Sequence, residues 1–285
     1  MDPSLALAKR NMLCYFRDRE NVFFSLMGVL IVVLLYLIFL RDMLIGNWPD
    51  MPGIGNLIDA WVMSGILGIV PVTTCAGALQ TMMEDRTSGR GRDLLVTPMG
   101  SWRTAMGYVL STFAVGMVMS LITLVICLAY LIATGCPLTV SGIVLTVVLL
   151  IPSSLSASII MYALTSFLKS TGAFSGFFTV VSVLIGFLAG IYMPMGTMPS
   201  FMQYVSVTVP ASQMASLFRG SLAQDALDET FLGAPSSVIE SFRVDMGFDL
   251  FLGDLSITVP MSLMYVVGVT AVFFIIAAYR IKRRV

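Results

Sequence analysis

The chain has 285 residues, of which 58% are hydrophobic and only 11% are charged, and its mean hydropathy is +0.94. Soluble globular domains carry about 25% charged residues, so this composition excludes an ordinary soluble domain and indicates a membrane protein. Histidine is absent and the four cysteines have no paired spacing, which argues against zinc, haem and a disulfide framework. We expect no metal or cofactor bound by this chain, and no nucleic-acid partner.

Residues 1–21 predict a helix that lies on the membrane surface. Asp2-Pro3 is typical of a helix start, because proline is tolerated in the first turn. Apolar side chains then recur at helical spacing, at Leu5, Ala8, Met12 and Phe16. Basic residues fall on the remaining surface, which favours an anionic leaflet. A frayed tail is the alternative, since chain termini are often disordered.

Six stretches with little or no charge predict membrane-spanning helices, because about 20 apolar residues cross a bilayer. These stretches are Val22–Leu40, Asn56–Gln80, two helices within Thr104–Leu168, Ala173–Tyr192 and Leu255–Tyr279. The long uncharged run is expected to break at Gly135-Cys136-Pro137, which is typical of a turn. The predicted fold class is therefore an all-α polytopic membrane protein, with residues 1–285 forming a single transmembrane domain.

Residues 194–254 interrupt this pattern before the last span. Their first part is apolar but contains Pro194, Pro199 and Pro210, so it cannot be a straight membrane helix. We expect short re-entrant helices there, shielded from lipid by the protein. The second part, 224–254, is strongly acidic and is predicted to lie outside the membrane.

Residues 81–103 form a cluster of both charges between two apolar spans. The charged residues are Glu84, Asp85, Arg86, Arg90, Arg92, Asp93 and Arg103. A short apolar segment, Leu94-Leu95-Val96, follows the charges and ends at Thr97-Pro98, because proline cannot continue a helix interior. We expect a water-facing loop that docks onto a soluble partner.

The distribution of basic residues predicts the orientation. Thirteen of the 16 Lys and Arg residues lie in the N-terminal tail, the 81–103 loop, the turn at Lys169 and the C-terminus. Cytoplasmic segments carry this excess, so both termini and the loop are predicted to be cytoplasmic. Arg41, Arg219 and Arg243 fall on the other side, where Asp59 also marks the outer end of the second span.

The sequence also limits which energy sources could drive transport by this protein. No predicted span carries a central ionisable residue, which disfavours an ion-coupled carrier. The chain lacks GxxxxGK[ST], so it holds no P-loop for ATP, and it lacks HExxH and GxSxG, which disfavours a membrane enzyme. If ATP drives this protein, a separate chain must bind and hydrolyse it.

Two groups of residues resemble the signatures of ABC-2 type permeases. The first group is Glu84-Asp85-Arg86, Gly89, Leu94-Leu95-Val96-Thr97-Pro98 and Gly107, with Arg17-Asp18 before the first span. The second group is Gly190, Met193-Pro194, Met198-Pro199, Met202-Gln203, Pro210 and Arg219. The two groups occur in the family's order and cover almost the whole chain.

This resemblance implies a bacterial plasma-membrane exporter made of two permeases, expected to be identical copies, above two ATPase subunits that hold ATP and Mg²⁺. The residues implied in coupling to the ATPase are Glu84, Asp85, Arg86, Gly89, Arg92, Asp93, Leu94, Leu95, Thr97 and Pro98. The N-terminal helix is implied to touch the ATPase through Arg10, Arg17 and Asp18. The substrate is expected to be hydrophobic or amphipathic, such as a drug, a peptide or a lipid-like molecule.

Two alternatives remain open. Aromatic residues of the fifth span, Phe174, Phe177, Phe178 and Phe187, would suit a polysaccharide or glycolipid exporter if they lined a channel. A phenylalanine stripe is more often helix packing or lipid contact. A membrane sensor subunit of an ATPase complex would instead use the acidic external segment to bind its ligand.

Overall fold

The computed structural model describes residues 2–46, 51–90, 100–253 and 255–282. The first helices are α1 (Pro3–Arg17), α2 (Arg19–Leu35), α3 (Arg41–Ile45), α4 (Ile54–Ala78) and α5 (Gln80–Thr87), with a π-helical turn at Tyr36–Leu40. They are followed by α6 (Gly100–Ala133), α7 (Val140–Thr165) and α8 (Thr171–Leu188). A 3₁₀ turn (Met195–Thr197) then precedes α9 (Ser200–Thr208), α10 (Pro210–Leu222), α11 (Gln224–Thr230) and α12 (Ser236–Asp245). Strands β1 (Leu250–Leu252) and β2 (Leu255–Ile257) lead into α13 (Val259–Lys282).

Within these residues, five helical segments are long and apolar enough to cross a membrane. They are Ile54–Thr87, Gly100–Ala133, Val140–Thr165, Thr171–Leu188 and Val259–Arg280. The predicted break of the long apolar run is confirmed, since Gly135 takes a φ of +73° between α6 and α7. The first predicted span, Val22–Leu40, is helical from α2 through the π-helical turn, and its crossing of the membrane stays a prediction.

A hairpin before the last helix corrects two predictions, the all-α fold class and the start of the last span. Leu250 pairs with Ile257 in an antiparallel hairpin, so residues 255–257 are a strand and do not begin the span. Pro260 stands in the first turn of α13, where its missing N–H leaves no helical bond unmade. Arg41 and Asp42, directly after the first predicted span, lie in helix α3.

Helix α4 forms the centre of the bundle. In an apolar 18-residue stretch of its span, 83% of the residues are buried, whereas 17% are buried in the corresponding stretches of α8 and α13. Trp61, Ile66 and Leu67 on α4 are completely buried, and α6, α7 and α10 pack around them. Helices α8 and α13 therefore lie at the periphery and offer apolar faces to lipid or to another chain.

Glycines allow the central helices to approach each other closely. A Cβ atom added to Gly68 on α4 would lie 2.7 Å from the Cβ of Ala215 on α10. The same addition to Gly116 on α6 would lie 2.6 Å from the Cys75 sulfur. Small residues at such crossings maximise van der Waals contact where no water drives association.

We predict that Gly68→Val destabilises the chain by about 2–3 kcal/mol, because overpacking forces α4 and α10 apart. Gly220→Ala on α10 is the control, since an added Cβ atom there meets no atom within 4 Å. Equilibrium unfolding in mixed detergent micelles measures both changes. Equal stability of the two variants would show that the α4–α10 contact is less tight than described.

Candidate coupling site

Helix α1 lies along α6 and runs in the same direction. Asp2 caps its first turn by accepting a hydrogen bond from the Ser4 N–H at 2.9 Å. Leu7 packs where α6 has Gly107, at which an added Cβ atom would come within 2.8 Å of the leucine. Tyr15 packs about two helical turns further on, against Val115. Glycine is thus required at 107 by the approach of α1.

The buried face of α1 is one residue away from the predicted stripe. The residues buried against protein are Ser4, Leu7, Asn11 and Tyr15. Leu5, which heads the predicted stripe, is 51% exposed. Because α1 carries apolar residues on both of these neighbouring faces, one face can pack on α6 while the other meets lipid.

A buried carboxylate connects α1, α5 and α6. Asp85 is 1% exposed, and its two oxygens accept hydrogen bonds from the two Nη atoms of Arg10 at 2.6 and 2.8 Å. The Tyr108 hydroxyl donates a further bond to the same carboxylate at 2.7 Å. Hydrogen bonding to Asp85 also raises the pKa of Arg10, so this arginine stays charged at any physiological pH. The bidentate geometry is the strongest form of such a pair.

The neighbouring arginine connects α5 to α7. Arg86 Nη1 lies 3.4 Å from the carbonyl oxygens of both Thr165 and Leu168, at the C-terminal end of α7. A cation is favoured there because the last carbonyls of a helix have no intrahelical partner and carry a partial negative charge. Two consecutive residues of α5 therefore contact three other helices.

The remaining predicted coupling residues divide into three groups. Glu84 is exposed and accepts a hydrogen bond from Gln80 at 3.0 Å, whereas Gly89 follows α5 with a φ of +83°. Arg17 and Asp18 lie at the exposed corner between α1 and α2. Arg92, Asp93, Leu94, Leu95, Thr97 and Pro98 lie outside the described residues.

The expectation of a water-facing loop from residue 81 onward is wrong for its first part. Residues 80–87 are helix α5, which follows α4 after one intervening residue. Met82 and Met83 are buried together with Asp85. Because the two methionines pack in the core, the Asp85 carboxylate is also buried, and it is hydrogen-bonded there by Arg10 and Tyr108.

A second buried carboxylate lies at the other end of α4. Asp59 is completely buried, and its oxygens accept bonds from Arg41 Nε at 2.9 Å and Nη2 at 3.3 Å. The hydroxyl of Tyr36, in the π-helical turn, donates to it, as does that of Tyr130 on α6 at 3.3 Å. Helices α4 and α5 together thus carry a buried aspartate near each of their two outer ends. Each aspartate accepts hydrogen bonds from an arginine of an earlier helix and from a tyrosine of α6.

The residues of the second signature form a buried, hydrogen-bonded cluster around Arg219. This residue is 1% exposed, and its guanidinium donates to the carbonyls of Ala189, Gly190 and Gly247 at 2.9 to 3.1 Å. It lies over the Trp61 ring at 4.9 Å. Counting Arg219 among the outer water-facing charges was therefore wrong, although the excess of basic residues in the predicted cytoplasmic segments remains.

The other signature residues explain the path of this segment. Gly190 takes a φ of +67°, and the side-chain amide of Gln203 donates to the carbonyls of Met195 and Met198 at 3.1 and 2.9 Å. Pro210 begins α10. These residues hold the chain in short helices between α8 and α13, and whether those helices enter the membrane from one side stays a prediction.

Sequence reasoning missed the two tyrosines of α6 and the role of Arg219. Tyr108 directly follows Gly107 of the first signature, but one aromatic residue in an apolar span carries no sign of a carboxylate partner. The sequence did contain a sign that Arg219 is buried and bonded, because it is the one Lys or Arg between Lys169 and Arg243.

These features define a polytopic helical membrane protein in which, among the described residues, a buried aspartate is paired with an arginine near each end of the segment formed by α4 and α5. The sequence model of the ABC-2 family transporter proteins matches residues 55–279. The chain belongs to this family and is a transmembrane subunit of an ABC transporter, a kind of subunit that works with a separate ATPase subunit. Comparison with curated proteins gave no match. Helices α1 to α3, with Arg10 and Arg41, precede the matched segment.

We predict that Arg10→Ala lowers the free energy of unfolding by about 2 kcal/mol, because the buried Asp85 loses its counter-charge. The loss is smaller than for a fully buried pair, since Arg10 is 39% exposed and water replaces part of the interaction. Lys9→Ala, at the exposed neighbouring position, should change stability by less than about 0.5 kcal/mol. Thermal and detergent unfolding compare the two variants, and an equal effect would remove the ion pair from the account.

Proposed function

We propose that the chain is the permease half of an exporter that moves a hydrophobic or amphipathic substrate out of the cell. A separate ATPase docks on residues 81–103 and on α1, and two copies of the permease form the pathway. The observation that carries this proposal is the position of α5. It forms the first part of the predicted docking segment and is bonded through Asp85 and Arg86 to α1, α6 and α7.

The bonds of α5 suggest how an ATPase would act on the membrane helices. A ligand shifts a conformational equilibrium only by binding one state more tightly than the other. A docked ATPase that closes on ATP would favour one position of α5. Since α5 continues α4, the most buried helix, displacement of α5 would reach the centre of the bundle.

The peripheral helices support pairing with a second copy. The α8 span is only 17% buried within one chain, and its exposed face includes Gly172 and Gly176, where an added Cβ atom would meet nothing within 4 Å. Close approach of another helix is possible at such a face. The predicted polysaccharide pathway gains no support, because Phe174 stacks on Phe178 at 6.4 Å within a core cluster.

We predict that Leu94→Asp or Leu95→Asp abolishes substrate-stimulated ATP hydrolysis in the reconstituted complex. A charge would replace the apolar contact that docks on the ATPase, while the spans would still insert. Leu232→Asp provides the control, because Leu232 is 85% exposed and lies between α11 and α12, at the far end of the bundle. Undiminished stimulation in the Leu94 and Leu95 variants would refute the proposed docking segment.

We predict the orientation from single cysteines. Glu240→Cys should react with a membrane-impermeant maleimide on intact cells, whereas Arg90→Cys should react only after permeabilisation. Both residues are exposed. The background is low once the exposed Cys14 is replaced, because the other three cysteines are buried.

The native thiol nearest the outer side supports this design. Burial raises the pKa of Cys136 to about 12, so it stays a thiol up to strongly alkaline pH, and only the thiolate reacts readily. The reverse labelling of positions 240 and 90 would overturn the predicted topology and place α5 on the opposite side from the cytoplasm.

A further inference from the structure

A cavity of about 240 Å³ lies at the end of the bundle where α4 begins, away from α5. Its apolar wall consists of Leu44, Ile58, Phe242 and Met246, and its polar rim includes Thr197 and Asp245. None of these residues takes part in the coupling contacts described above. The cavity is larger than the ~150 Å³ cavity known to hold a benzene molecule.

The apolar wall is fixed by the core. Ile58 and Phe242 are each 1% exposed, and the Phe242 ring packs against that of Phe231 at 4.9 Å. The Met246 carbonyl accepts a hydrogen bond from the Trp61 indole at 2.6 Å. The cavity is therefore preformed, and a ligand would not need to order its wall.

Asp245 is the acid of this segment that lines the cavity, and it lacks the partners that two neighbouring aspartates have. Asp249 pairs with Arg243 at 2.6 Å, and Asp225 accepts a hydrogen bond from the Thr139 N–H at 2.9 Å. Asp245 is exposed, and among the described residues no hydrogen bond or ion pair joins it. It is thus a charge at the mouth of an apolar cavity without a protein partner.

Two further features favour a positively charged ligand at this cavity. Asp245 is the last residue of α12, a ten-residue helix, whose C-terminal end carries a partial negative charge and favours a cation. A Cβ atom added to Gly196 would lie 2.3 Å from the Asp245 carboxylate oxygen. The carboxylate can therefore lean over the 3₁₀ turn beside the cavity only because residue 196 is glycine.

We propose that this cavity binds a small organic cation, an ammonium group on a compact apolar body. The apolar body occupies the cavity, and the ammonium group donates to the Asp245 carboxylate at the rim. An inorganic divalent cation does not fit, because it requires several oxygen ligands at short range and Asp245 is the one acidic side chain among the residues that line the cavity. The site is independent of the ATPase and of the direction of transport.

Benzylamine, charged at pH 7, tests the site against benzyl alcohol, its neutral analogue. With the purified full-length chain in lipid nanodiscs, saturation-transfer NMR should show benzylamine binding at least fivefold more tightly than benzyl alcohol. Asp245→Asn should weaken benzylamine binding about fivefold, the contribution of one partly exposed charge. The same substitution should leave benzyl alcohol binding unchanged.

Glu240→Gln is the matched control, because Glu240 is an exposed acid on the same helix and does not line the cavity. It should leave benzylamine binding unchanged, whereas Gly196→Ala should weaken it by displacing the carboxylate. Equal affinity of the native chain for amine and alcohol would overturn the proposal. So would an equal loss in the Glu240 and Asp245 variants, since the attraction would then come from the surface charge as a whole.

Discussion

A carboxylate can be removed from water only where other groups replace the hydrogen bonds that water made. Asp85 meets this requirement through Arg10 and Tyr108, which together make three bonds to it. Because its partners come from α1 and α6, the charge fixes the positions of both helices relative to α5. A permease that receives force from another protein needs such a connection, since packing between apolar faces alone permits sliding.

An aspartate bonded by an arginine and a tyrosine also occurs near the start of α4, at the other end from α5. Asp59 is bonded by Arg41 and by Tyr130 of α6, so α4–α5 and the antiparallel α6 are joined near both of their ends. The 26 residue steps from Asp59 to Asp85 correspond to roughly 39 Å at 1.5 Å per residue. This length exceeds the ~30 Å hydrocarbon core, so a bilayer centred on this span would leave each buried pair close to its boundary. Each charge then stays close to water, where burying it costs less.

The sequence was sufficient for most of the fold. Charge-free runs predicted the spans, and Gly135-Cys136-Pro137 predicted a break that the structure confirms. The hairpin at 250–257 had a sequence signal that the prediction missed. Gly253-Asp254 between two largely apolar triplets is typical of a two-residue hairpin turn, but the leucines and isoleucine of the hairpin are as apolar as those of the adjoining span.

The candidate site was predictable in its location but only partly in its contacts. The signature named Asp85, Arg86 and Gly107, and the structure brings Asp85 and Gly107 together with α1 and Arg86 against the end of α7. Their partners could not be read from the chain, because a bond between Arg10 and Asp85 joins residues 75 positions apart. Arg219 and Asp59 were read as charges near water, since hydropathy does not reveal which charges find buried hydrogen-bond partners.

Under the proposed function, movement at α5 reaches the membrane helices through the bond between Asp85 and Arg10. A double-mutant cycle of Arg10→Ala and Asp85→Asn, read as substrate transported per ATP hydrolysed in proteoliposomes with the ATPase, measures the part of the coupling that depends on this bond. Each single change should lower the ratio, and the double variant should be no worse than either single one. Independent, additive losses, or an undiminished ratio in the single variants, would show that the bond does not carry the movement.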